Sequence, residues 1–142
     1  MWKNVNNDID LSEFMHKVEF FHDSCIKEIK YTSVAYVNKD LFMYPINDKR
    51  ILRITIQRQS PELPMFEMEF SGLKFFKLFP LDETYTCEIT SSTMFFKKEL
   101  IYWTDCDSHD EKDDVTVVCA QKFRWRCVEN HLGNEDFYNP VW

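Results

Sequence analysis

The sequence predicts a mainly β fold: an antiparallel sandwich, roll or partly open barrel with one N-terminal α-helix, an α+β arrangement being the alternative. Three observations point there. From Cys25 onward, apolar residues recur with a period of two rather than 3.6. The chain holds thirteen Phe, six Tyr and four Trp against two Gly, and aromatic side chains favour pleated, half-buried surfaces. Short candidate strands are separated by Pro, Ser and Gly turn signals, with no repeat or linker between them. The 142 residues read as one domain, long enough to bury roughly two thirds of its unfolded surface.

Residues 1–8 are polar and are expected to be loosely held. A helix follows, with Asp10 and Glu13 in a capping-box arrangement and Leu11, Phe14, Met15 and Val18 as its apolar stripe. In 50–58, Leu52, Ile54 and Ile56 face one way, and Arg53, Thr55 and Gln57 face water. Pro61 and Pro64 mark a loop. Phe66, Met68 and Phe70 then alternate with Glu67 and Glu69; Ser71-Gly72 interrupts, and strand resumes over 73–79 until Pro80. Residues 84–90 and 94–104 are two further candidate strands around Ser91-Ser92. The longest, 115–128, places Val115, Val117, Cys119, Gln121, Phe123, Trp125 and Cys127 on one face, and Thr116, Lys122, Arg124 and Arg126 on the other.

A formal net charge of −7 argues against nucleic acid, whose phosphates demand a basic face, and against anionic membranes. It favours encounter with a basic protein partner. No run approaches the length of a membrane span, and the first residues lack the apolar core of a secretory signal. A cytoplasmic location is expected. Cys25, Cys87, Cys106, Cys119 and Cys127 are odd in number and form no C-x-x-C pair. They read as reduced thiols serving as small buried hydrophobes. No metal, cofactor or catalytic residue is expected.

Four stretches could carry function. In Phe21-His22-Asp23-Ser24, neighbouring side chains on an extended segment diverge, whereas a catalytic triad needs convergence. Asp23 or Ser24 is suited to closing a turn, with His22 fixing it through a ring nitrogen. The acidic loop 105–114 departs from a calcium loop at its sixth and twelfth positions, Asp110 and Thr116. It reads as a solvated hairpin tip or a contact surface for the basic partner. The candidate contact residues are Asp107, Asp110, Glu111, Asp113 and Asp114, with Tyr102 and Trp103 beside them. Lys122-Phe123-Arg124-Trp125-Arg126 interleaves rings and charges, as single-strand nucleic-acid sites do, but a strand sends the two sets to opposite faces. The aromatic end, 136–142, either closes the core or leaves an exposed edge. No phosphate-cradling glycine loop, nucleophile elbow or zinc-protease motif occurs.

The segment Phe21-His22-Asp23-Ser24-Cys25-Ile26-Lys27-Glu28-Ile29 resembles the Phe-His-Asp-(Ala or Ser) opening of several small bacterial families. One is an immunity-protein family associated with polymorphic toxin systems. Val18-Glu19-Phe20 stands where that family has a Trp-Pro pair. The resemblance implies a mostly-β body, a part for Phe21, His22 and Asp23 in the fold, and a binding role without catalytic residues. The leading expectation is therefore a non-enzymatic binding module of the immunity-protein kind. Two alternatives stand beside it: a small hydrolase or metal-dependent enzyme using His22 and Asp23, and a structural subunit self-associating through a strand edge.

Overall fold

In the computed structural model, residues 1–107, 114–129 and 132–134 are described. The strand β1 (Lys3–Val5) precedes the helix α1 (Asp8–Lys17). Then come β2 (Ser24–Thr32), β3 (Tyr36–Val37), β4 (Met43–Tyr44), β5 (Ile51–Arg58), β6 (Met65–Lys77), β7 (Thr93–Lys97), β8 (Leu100–Thr104) and β9 (Val117–Cys127). The fold is mainly β with one N-terminal helix, as the sequence predicts. Seven strands form one open antiparallel sheet in the order β2-β5-β6-β9-β8-β7, and β1 pairs with β9. β3 and β4 pair with each other in a separate two-stranded ribbon.

The helix starts earlier than its apolar stripe suggests. Asn7 is the N-cap, accepting from the Asp10 amide at 2.9 Å, while the Asp10 carboxylate accepts from the Asn6 amide at 2.9 Å. These two bonds replace the expected Asp10–Glu13 box, the Asn7 amide oxygen satisfying an orphan amide of the first turn. The polar leader is thus tied down, by this cap and by β1. Leu11, Phe14, Met15 and Val18 are all buried. The Phe14 ring lies 5.1 Å from both Phe123 and Trp125, and 5.9 Å from both Phe21 and Phe66. Each such buried side chain contributes roughly 1.5–3 kcal/mol of transfer free energy. The core lies between this helix and the face of the sheet carrying Leu52, Ile54, Ile56, Phe66, Met68 and Phe70.

Ser71-Gly72 does not end a strand; it bends one. Gly72 has φ +63° and opposes Gln121. The pairs Phe70↔Phe123 and Leu73↔Ala120 both face the helix, so two residues per strand turn outward between them. The phase of β9 slips accordingly. Val118 and Ala120 join the core with Ile101 and Trp103, and Cys119 moves to the outer face between its pairing partners Phe75 and Tyr102. A strict alternation through Cys119 to Phe123 is corrected by this paired kink.

Three other expectations change. Lys98 and Glu99 both take left-handed conformations (φ 52° and 65°) and split 94–104 into β7 and β8, the mirror-image turn that suits strand twist. Residues 84–90 form no strand and touch the sheet through the Ser24↔Ile89 bridge. The outer face of β5 and β6 is not wet, since Thr55, Glu67 and Glu69 are buried. There Arg53 and Arg124 each reach Glu69 at 2.7 Å, and Arg126 reaches Glu67 at 2.7 Å. Trp2 lies beneath the Arg124 and Arg126 guanidinium groups, 4.4 Å from each. The basic residues of 122–126 are therefore turned away from Phe123 and Trp125, as expected, and Arg53, Arg124 and Arg126 are engaged with carboxylates, the last two also with the Trp2 indole.

Candidate protein-binding surface

Between β2 and β5 the chain leaves the sheet as a hairpin arm built from β3 and β4. Tyr36 pairs with Tyr44 and Val37 with Met43. The two tyrosine rings stack with centroids 4.7 Å apart and planes within 5°. At the tip, the Asn38 side-chain oxygen accepts from the Asp40 and Phe42 amides at 2.9 and 3.0 Å, and the Leu41 amide donates to the Asn38 carbonyl at 3.0 Å. Asn performs this local capping well. At the root, the Asn47 side-chain oxygen accepts from the Val34 and Arg50 amides at 3.2 Å, and its amide donates to the Tyr31 hydroxyl at 2.7 Å.

A ribbon so well stitched would ordinarily be polar. This one is apolar on both sides. Tyr36, Val37, Leu41, Phe42, Met43, Tyr44 and Ile46 are between 49% and 83% exposed. At about 200 Å² for a fully exposed large side chain, they present on the order of 800 Å², one partner's share of a standard protein interface. Leu41, the most exposed of the seven, also holds a left-handed φ of +67°, which costs a non-glycine residue on the order of 1 kcal/mol. An isolated two-stranded ribbon is marginal in water, so strain and exposure together are unfavourable in the free protein. Lys39 and Asp40 occupy the tip, and charged groups there oppose insertion into an acyl layer. Among the described residues, no helix is long and apolar enough to cross a membrane.

The Phe21-His22-Asp23-Ser24 junction is a clasp. Glu19, Phe20, Phe21 and Asp23 all have left-handed φ, from 52° to 65°, so the chain makes one left-handed turn at the end of α1. Several contacts hold it. The Phe21 ring is fully buried, 5.6 Å from Trp103. The Arg58 guanidinium donates to the Glu19 carboxylate and the Leu63 carbonyl, each at 3.1 Å. The Ser92 amide donates to the Phe20 carbonyl at 2.9 Å. His22 Nδ1 donates to the Thr90 carbonyl at 2.9 Å, and its Nε2 faces the Asp23 carboxylate at 3.4 Å. Ser24 is buried, its hydroxyl directed back to the His22 carbonyl. The imidazole is held through Nδ1, and the Ser24 hydroxyl approaches neither ring nitrogen. The three side chains do not converge as nucleophilic catalysis requires.

Of the contact residues expected from the sequence, Asp107 and Asp114 are exposed at the two ends of the acidic loop. Asp110, Glu111 and Asp113 lie outside the described residues, as does 136–142. Asp105, at the loop's root, accepts from the Thr116 amide at 3.0 Å, and burial pushes its carboxyl up. Trp103 is fully buried and donates to Ser92, which corrects its placement as a surface contact: its strand faces the helix there. Tyr102 is on the outer face, stacked on Phe95 at 5.1 Å and 6.4 Å from Phe75. The cysteines also differ from expectation, since only Cys119 is buried and Cys87 and Cys127 are exposed.

The arm went unread in the sequence, although its signal is present. Apolar residues flank Asn38-Lys39-Asp40 without the polar alternation of a one-sided strand. Compared with family models, curated proteins and solved structures, the chain has no match.

Proposed function

We propose that the chain is a non-enzymatic protein-binding module whose hairpin arm enters an apolar cleft on a partner protein. The observation that carries this reading is the arm itself: seven large apolar side chains on a rigidly rooted ribbon, with a strained leucine at its tip. Backbone strain and large exposed apolar patches both collect at working surfaces. A net charge of −7 speeds encounter with a basic partner, with Asp107 and Asp114 contributing to that field. The finer reading, an immunity protein neutralising a toxin, is supported by the resemblance of 21–29 and by a junction that serves the fold rather than chemistry.

Affinity capture from the native host tests it, comparing the wild-type chain with Leu41→Asp/Phe42→Asp and with Asp110→Lys/Asp113→Lys. The expected result is a stoichiometric partner lost with the arm variant, whose denaturation midpoint is unchanged. Retention of the partner by the arm variant and loss with the loop variant would transfer the contact to the acidic loop. Absence of any partner, with light scattering showing an arm-dependent dimer, would replace it with self-association.

A further inference from the structure

Cys25 lies on the outer face of the edge strand β2, paired with Gln57. Cys87 belongs to the 78–92 segment, which returns to that strand where the Ile89 amide donates to the Ser24 carbonyl at 2.7 Å. Both thiols line one open cavity, together with Asp23, Gln57 and Glu88. The other three cysteines are placed elsewhere. Cys119 is buried between Phe75 and Tyr102, Cys106 is 3.1 Å from the Thr104 hydroxyl, and Cys127 pairs with Phe66 at the end of β9. Burial pushes the Cys25 thiol up, and Cys87 adds to that shift.

We propose that Cys25 and Cys87 are a modification site: a dithiol that closes to a disulfide on exposure to a peroxide and staples the 78–92 segment to β2. Cys87, the exposed thiol, reacts first. Its thiolate attacks one peroxide oxygen, the O–O bond breaks, and water leaves once the departing hydroxide is protonated, so Cys87 becomes a sulfenic acid. The Cys25 thiolate then attacks that sulfur, the S–O bond breaks, a second water leaves, and the S–S bond forms. Two thiols are oxidised and one hydrogen peroxide is reduced to two waters. The half-buried position of Cys25 suits a resolving thiol, which meets its partner only within the fold. The staple ties down the segment that carries the exposed Leu81 and Tyr85.

The fully reduced protein, treated with hydrogen peroxide and then analysed by intact mass and peptide mapping, tests this. The expected product has lost two hydrogens, contains a Cys25–Cys87 linked peptide, melts at a higher temperature and resists cleavage within 78–92; dithiothreitol reverses all four. Cys25→Ser and Cys87→Ser each abolish the product, and a Cys106→Ser/Cys119→Ser/Cys127→Ser variant retains it. Sulfinic acid on Cys87 with Cys25 still a free thiol would overturn the proposal. So would a bridge to any other cysteine, or no reaction.

Discussion

Replacing Arg126 by Met removes the close partner of a buried carboxylate. Glu67 is 1% exposed, with Arg126 Nη2 at 2.7 Å and Nε at 2.8 Å from one of its oxygens. The next cation, Arg53, stands 3.8 Å from the other oxygen and is itself bound to Glu69 at 2.7 Å. Stranding a buried charge in this way costs about 3–5 kcal/mol. Protonation caps the loss. Burial already holds the Glu67 carboxyl above its ordinary value, Arg126 and Arg53 only partly opposing it. A carboxyl raised on folding destabilises the native state at neutral pH and is relieved as pH falls through its folded value. Without Arg126 that value rises further, so the cost of the substitution shrinks on acidification. The double variant Glu67→Gln/Arg126→Met recovers all but about 1 kcal/mol, because no charge is left unpaired. Urea denaturation near neutral pH and about two units lower measures both effects. A single-variant cost under about 1 kcal/mol, a cost independent of pH, or additive behaviour in the double variant would refute the reasoning.

Two further outcomes follow from the same geometry. Gly72→Ala costs about 1–3 kcal/mol, read as a lowered thermal midpoint, because an L side chain is strained at φ +63° and its Cβ would meet the Gln121 side chain, whose Cβ is 2.8 Å away. Asn47→Ala removes the acceptor for the Val34 and Arg50 amides, at about 1–2 kcal/mol; hydrogen exchange should show protection lost over 34–46 while the amides of β6 and β9 remain protected.

Much of the sheet is legible because period-two burial is local information. Leu52, Ile54 and Ile56 in β5, and Phe66, Met68 and Phe70 in β6, declare their face by spacing alone. The helix stripe is equally plain. The junction could be read as a turn from Asp23 and Ser24, but its left-handed run could not, since Glu19, Phe20 and Phe21 have no preference for that conformation. They adopt it because Arg58, Ser92 and Thr90, distant in sequence, hold Glu19, Phe20 and His22 in place. Alternation through Cys119 fails for a similar reason. The slip occurs where two strands bend together at Gly72 and Gln121, and only one of those positions carries a glycine signal. The arm was missed because apolar residues read as buried, and nothing local distinguishes an apolar ribbon packed on a sheet from one held in solvent.

By itself the sequence determined the class of the fold, the helix stripe, the core faces of β5 and of β6 as far as Phe70, and the separation of the basic side chains from Phe123 and Trp125. Those properties follow from which neighbours along the chain are apolar, and backbone geometry converts that pattern directly into faces. Only the tertiary structure decided that Glu67 and Glu69 lie buried among arginines, that His22 is committed to a backbone carbonyl, and that the arm stands clear of the sheet. Each depends on groups far apart in the chain meeting in space, and long-range contact is set by how the sheet pairs and bends.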